Sequence, residues 1–268
     1  MSVGLAGEHL EGHPPAKASI ATGVLLTAIA WLVSRIVVGA AWGPARDPFT
    51  FRTSLWRRYD SRNYLTIAIQ GRTFGRCGTP GFPETALIRY AHLQWCGSAG
   101  WLPGYPILIR AVHVLGISRP SSGLLISWIG LAAALFLVWH GWGRDLRRRR
   151  ALAMLVLFGL FPGAVYNFAI FPTSVALALE VGAILTATRG RFFSAAVLIA
   201  GAGLCYPSAW FGAVGLTLAL AVVAVPLGGR VIARRTLWGL AGLVSLVGLG
   251  VHDQYAFNHF DAYFLELK

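Results

Sequence analysis

The chain has 268 residues, of which 56% are hydrophobic and only 12% charged. A water-soluble domain carries about twice that charge, so a soluble globule, a coiled coil and a disordered chain are excluded, and the mean hydropathy of +0.63 points to a membrane protein. Lys and Arg number 23 against 10 Asp and Glu, and that excess has meaning only once the basic residues are placed.

Residues 1–18 form a short polar tail. An apolar run over 19–41, interrupted by Arg35, is long enough for a membrane span. Its length and the lack of a small-residue cleavage signal argue against a removed signal peptide. A long segment, 42–120, follows. Apolar runs then come at 121–143, 151–166 and 173–188. Residues 192–227 are 36 positions without a charge, broken at Cys205-Tyr206-Pro207. They read as two helices meeting at the proline. A last span runs over 236–251, and 252–268 form a polar tail.

The short loops decide the orientation. Lys and Arg collect in cytoplasmic loops. With the N-terminus inside and seven spans, the basic clusters at 144–150, 189–191 and 230–235 all fall inside. Four segments fall outside: 42–120, 167–172, the turn at Tyr206-Pro207 and the tail from His252. The expected fold is therefore an all-α polytopic membrane protein with about seven transmembrane helices. Its transmembrane domain covers 19–251, including the outer loop 42–120. No nucleic-acid partner is expected.

The outer loop carries ten Arg. A segment of that length escapes the charge rule, so the cations need another reason. One is contact with anionic lipid headgroups. The other is a pocket for a phosphate-bearing lipid, because a guanidinium fork pairs with phosphate oxygens. Within the loop, 59–71 reads as a short helix at the outer membrane surface. Asp60 or Ser61 serves as N-cap, Gly71 as stop, and Tyr64, Leu65, Ala68 and Ile69 share one face. Asp60 then stands at the first turn beside Arg57, Arg58 and Arg62, where it is either a plain helix cap or a reactive carboxylate. Asp47 reads as a turn former beside Pro48, and Glu84 as loop surface. After Pro106 comes an apolar stretch too short to span. It suits an interfacial or re-entrant helix with Arg110 and His113 on its wet side. Tyr105 is either an aromatic of the interface belt or part of a sugar or lipid site. His252 and Asp253 read as a wet helix end or a second polar site. Arg35 and Glu180, both inside spans, pair with each other or serve function. Cys77 and Cys96 lie in an outward loop, where a disulfide is expected. Cys205 is expected to be buried and free.

Two boxes in this loop carry a resemblance. Tyr59-Asp60-Ser61-Arg62-Asn63-Tyr64-Leu65-Thr66-Ile67-Ala68 resembles the Trp-Asp-Ser-x-x-Tyr-Leu-x-Ile-Ala box of the PIG-V-like mannosyltransferases, of the GT-C class of membrane glycosyltransferases. Leu102-Pro103-Gly104-Tyr105-Pro106-Ile107-Leu108-Ile109-Arg110 is similar to the family's Phe-Pro-Leu-Tyr-Pro-Leu-Leu-Ile-Arg. Leu160-Phe161-Pro162 with Tyr166, Cys205-Tyr206-Pro207-Ser208, and the tail from Gln254 to Phe264 follow in the family's order. Thr173 stands where the family has Glu, Tyr206 where it has Arg, and Tyr59 where it has Trp. Members also continue past the point where this chain stops, Lys268.

The resemblance implies a GT-C-like arrangement and transfer of mannose from a polyprenyl-phosphate donor to an acceptor hydroxyl. The transfer inverts the anomeric centre and takes place at the outer face of a bacterial plasma membrane. Asp60 is the expected general base. Arg57, Arg58, Arg62 and Arg110 are expected at the donor phosphate. Tyr59, Tyr64, Tyr105, Tyr206 and Asp253 are expected to line the substrate. Neither a cofactor nor a metal is expected. Glycolipid, polysaccharide and protein acceptors all fit. The substitution at Thr173 and the early stop suit a second reading, a non-catalytic or degenerate member that acts as a lipid-binding scaffold. A transporter fits less well, because the polar residues gather in one outer loop rather than at mid-membrane.

Overall fold

The computed structural model describes residues 18–42, 52–82, 94–161, 163–227 and 229–267. Most of the N-terminal tail, Asp47 and Glu84 lie outside the described residues. The fold is mostly helical. The helices are α1 (Ile20–Trp42), α2 (Thr53–Trp56), α3 (Ser61–Gln70), α4 (Gly104–His113), α5 (Arg119–Val138), α6 (Arg148–Gly159), α7 (Val165–Phe168), α8 (Thr173–Thr188), α9 (Phe192–Cys205), α10 (Ser208–Ala224), α11 (Gly229–Ala241), α12 (Val244–Phe257) and α13 (Ala262–Glu266). Between α3 and α4 lies the one sheet among the described residues. Strands β1 (Phe74–Arg76) and β2 (Trp95–Gly97) pair antiparallel, with Gly75 opposite Cys96. Cys77 and Cys96 are joined as a disulfide beside this pair, and Phe74 stacks on Trp95 at 4.8 Å.

Among the described residues, two helical stretches are long and apolar enough to cross a membrane alone, Ile20–Ala41 and Arg119–Gly143. The second continues α5 through a π turn, Trp139–Gly143. Helices α11 and α12 together make a third candidate, bent by 42°. The bend falls at Gly242-Leu243, inside the stretch expected to be one straight span. Helices α8, α9 and α10 are apolar but shorter. The uncharged stretch after Phe192 does divide at Pro207, with α9 ending at Cys205 and α10 beginning at Ser208.

Small residues let the helices approach closely, which is how packing is gained where water supplies no driving force between spans. A Cβ on Gly130 of α5 would fall 2.9 Å from the backbone of Val175 in α8. Ser174 donates from Oγ to the Ser127 carbonyl at 2.7 Å, and Ser127 donates to the Phe171 carbonyl at 3.0 Å. The main core includes Leu131, Leu135, Trp139, Leu155 and Phe168. Arg35 is buried in it at 2% exposure, with its guanidinium 4.1 Å above the Trp56 ring. Glu180 lies elsewhere and accepts from the Ser208 hydroxyl at 3.4 Å. The two charges thus sit in separate environments rather than as a pair.

Contacts sort the connecting segments into two groups. The Ile170 amide donates to the Trp56 carbonyl at 3.1 Å, Phe171 meets Tyr206 edge-on at 5.8 Å, and Trp210 meets Tyr263 at 5.3 Å. The described parts of 42–120, the 167–172 segment, the Tyr206 turn and the tail therefore gather together. The basic clusters lie against other neighbours. The Ala18 amide donates to the Arg144 carbonyl at 3.2 Å. Gly141 packs so closely that a Cβ there would fall 2.4 Å from Leu185. Arg235 stacks over Phe192 at 5.4 Å.

The tail is not a loose polar end. Helix α12 runs on to Phe257, and α13 folds back on the loop, where the Gly100 amide donates to Glu266 at 3.0 Å. Asp253 is fully buried and ion-paired with Arg72. A second guanidinium nitrogen of Arg72 reaches the other carboxylate oxygen at 3.1 Å and also donates to the Ala99 carbonyl. The expectation of a wet helix end at 252–253 holds for His252, which is exposed, and fails for Asp253.

Candidate functional site

The Asp60 turn is built by its neighbours. Ser61 is buried at 1% exposure. Its hydroxyl accepts from the Arg58 amide at 3.0 Å and donates to the Ile170 carbonyl at 2.9 Å. That fastening places Tyr59 at φ 52°, a left-handed conformation. For a bulky L-residue this costs on the order of 1–2 kcal/mol, and such strain clusters at functional sites. Asp60 occupies the N-cap position of α3, yet its side chain makes no capping hydrogen bond. Among the described residues its carboxylate has no hydrogen bond or ion pair, so the plain-cap role expected of this position goes unfilled.

Aromatic rings surround it in layers. Tyr59 packs on Tyr166 at 4.6 Å, and Tyr166 on Phe171 at 4.9 Å. Behind them Tyr64 meets Phe171 and Tyr105, each edge-on at 5.6 Å. Tyr59 is exposed, Tyr166 and Tyr206 are half-buried, and Tyr64 is buried. Burial first, and then the negative charge of Asp60, pushes the Tyr64 and Tyr206 phenols above their ordinary range. These two phenols are therefore neutral donors facing a carboxylate. That arrangement suits sugar hydroxyls, which both donate and accept.

Tyr105 lies deeper than expected. It is fully buried, and its hydroxyl donates to the Gly123 carbonyl at 2.8 Å and pairs with Ser127 at 2.7 Å. It supports Tyr64 from behind and is neither an interface-belt aromatic nor a substrate wall. Asp253, with its charge taken up by Arg72, is likewise closed off.

Beside the turn opens a cleft of about 690 Å³. Arg57, Arg62, Arg119 and His113 line it, with Leu65 and Ile69 as apolar wall. Ile69 is 62% exposed, and Ile67 takes the buried place expected for it. The His113 Nδ1 lies 2.7 Å from the Ile117 carbonyl. A Nδ1–H there leaves Nε2 as the ring's acceptor. Three guanidiniums over an apolar wall fit a phosphate with a hydrocarbon tail. Arg58 is exposed at the edge of the turn and donates from Nε to the Leu55 carbonyl at 3.0 Å.

Arg110 goes elsewhere. Its Nε donates to the Ala68 carbonyl at 2.8 Å and its Nη2 to the Ile67 carbonyl at 2.7 Å, so it caps the C-terminal end of α3. That end lies roughly 10 Å from Asp60 along the helix at 1.5 Å per residue. Arg110 lines a separate cleft of about 330 Å³ with Arg72 and His252.

The structure thus brings Asp60 together with Tyr59, Tyr64 and Tyr206, and sets Arg57 and Arg62 in the adjoining cleft. Sequence reasoning missed Tyr166, Phe171 and Arg119 as members, and placed His113 only on a wet face. Tyr166 and Phe171 flank the short segment between two apolar runs, a position that offered a signal. Among the described residues no three His, Cys, Asp or Glu side chains gather as a metal site. Comparison with models of known families, with curated proteins and with solved structures finds no match to this chain.

Proposed function

We propose that the chain is a membrane-embedded glycosyltransferase of the GT-C kind, moving a hexose, with mannose the first choice, from a polyprenyl-phosphate donor to an acceptor hydroxyl. The observation that carries the reading is the uncommitted Asp60 carboxylate. It is set on a strained turn, faced by neutral tyrosines, and adjoins a cationic cleft with an apolar wall. Asp60 takes the acceptor's proton as the oxygen attacks the anomeric carbon. The bond from that carbon to the phosphate oxygen breaks, and the lipid phosphate leaves with the electron pair. Arg57, Arg62 and Arg119 hold the developing charge. Attack opposite the departing phosphate inverts the centre.

The proposed topology is seven crossings with the N-terminus inside. The grouping of the loop, the 167–172 segment, the Tyr206 turn and the tail supports it, because all four are assigned to the outer face. Shorter helices such as α8 suit a bundle whose outer end is covered by the loop rather than by lipid headgroups alone.

The test is transfer of radiolabelled mannose from polyprenyl-phosphate-mannose by membranes holding the protein. Asp60→Asn should lower transfer by about 100-fold or more, the scale of lost general-base catalysis. Its thermal unfolding should match wild type, because the side chain caps nothing. Wild-type transfer by the purified Asn variant would remove Asp60 from the mechanism. Failure of the native protein with mannose and other hexose donors alike would favour the scaffold reading.

A further inference from the structure

A second cleft, also of about 690 Å³, lies among the basic clusters and away from Asp60. Helices α8, α10 and α11 and the start of α9 enclose it. Its walls are Ile184, Leu216, Ala219, Leu220 and Val223, and the charge among its lining residues is that of Arg235. Along α10 the lining runs from Gly212 to Val223, about 16 Å at 1.5 Å per residue. The space is open in a specific way. A Cβ built on Gly215 would meet nothing within 4 Å. Nearby surfaces are apolar and exposed, with Leu218 at 61% and Val222 at 68%. The charge is of one sign. Arg189 and Arg191 stand at the α8–α9 turn and Arg230 and Arg234 on α11, all exposed. No acidic residue occurs in the sequence between Glu180 and Asp253.

We infer that this cleft holds an anionic phospholipid, with one acyl chain along α10 over Gly212 and Gly215 and its phosphate at Arg235. The length of the groove fits a chain and not a compact solute. The unopposed arginines fit a phosphate diester and disfavour a zwitterionic headgroup, whose ammonium they repel. Basic recesses between helices are the usual seat of such headgroups. Arg235 is positioned for the task because its guanidinium is spread over the Phe192 ring at 5.4 Å, which leaves its edge for phosphate oxygens. The proposal is independent of the Asp60 reading.

The experiment is native mass spectrometry of the full chain, released from nanodiscs of equal palmitoyl-oleoyl phosphatidylglycerol and phosphatidylcholine. Wild type should retain phosphatidylglycerol over phosphatidylcholine. Arg235→Gln should reduce that retention by roughly fivefold, the worth of one basic side chain at an anionic headgroup. Gly215→Leu fills the groove without touching the charge and should lower retention of both lipids. Arg235→Lys keeps the charge and should preserve most of the preference. Equal retention of the two lipids by wild type overturns the proposal. So does unchanged retention in both Arg235→Gln and Gly215→Leu. A lipid-free dimer that Gly215→Leu dissociates also overturns it, since a second copy would then fill the groove. Thermal unfolding of each variant without added lipid tells a lost site from a lost fold.

Discussion

Arg72→Met should be among the most damaging single changes in this protein. The Asp253 side chain is wholly inaccessible and that of Arg72 is 4% exposed, so each is largely withheld from water when the other is removed. Arg72 satisfies both carboxylate oxygens and the Ala99 carbonyl; a methionine strands Oδ2 and that carbonyl and leaves Oδ1 with the His252 ring alone, 3.0 Å away. Losing one member of a buried pair costs about 3–5 kcal/mol. The geometry puts this case in the upper part of that range, because a backbone acceptor is lost together with the ion pair. Removing both charges is a different matter. Arg72→Met with Asp253→Leu keeps the volume and leaves the Ala99 carbonyl as the main orphan, so the double variant should recover more than half of the loss. The assay is denaturant unfolding of detergent-solubilised protein followed by tryptophan fluorescence, for wild type, both single variants and the double. Protease sensitivity of the loop after Gly71 should rise in the singles and fall again in the double. Strictly additive losses would refute the reasoning, because they would mean that the two side chains stabilise the fold independently.

Two further outcomes follow from the topology and from the tyrosine cluster. With Cys77 and Cys96 paired and Cys205 buried, the thiol of an Arg147→Cys variant should resist a membrane-impermeant maleimide applied to intact cells and react after lysis; labelling from outside would reverse the orientation. The phenols of Tyr64 and Tyr206 are raised above the ordinary tyrosine value of about 10. Their neutral forms are favoured in the folded state, so their contribution to stability is fully present below pH 10 and is lost as pH rises beyond it. Tyrosinate absorbance at 295 nm should therefore lag behind that of free tyrosine and appear together with unfolding, and a normal titration before any unfolding would count against the layered cluster.

Local signals survived translation into structure better than distant ones. The helix after Asp60 stops at Gly71, whose φ of 88° is one that glycine adopts without strain. The uncharged stretch after Phe192 divides at its proline because Pro207 withholds a backbone N–H. The face of α3 was read less well. Ile69 fits the helical period, but the fold gives that position a cleft to line rather than a core to enter. Asp253 misled for a different reason. A polar pair near a helix end looks solvated, and its partner Arg72 lies 181 residues away. Tyr105 sits beside a helix-starting proline, as belt aromatics do. Only the approach of α5, with Ser127 and the Gly123 carbonyl, turns its hydroxyl inward. The bend between α11 and α12 has a sequence cue in Gly242, but Gly is frequent in membrane helices, so one glycine did not stand out.

The cage around Arg35 bears on how the protein is made. Its guanidinium rests on Trp56 at 4.1 Å, Trp128 at 5.1 Å and Phe168 at 5.6 Å, rings borne by three segments translated after it. When the first helix leaves the translocon, that cation has yet to gain these rings, and an arginine in hydrocarbon is costly. The three-ring cage closes only once residue 168 has been synthesised. Ordering of the Asp60 turn, hung from Ile170, becomes a late event of biogenesis, so a ribosome that stalls before that point leaves behind a nascent chain unable to fasten it.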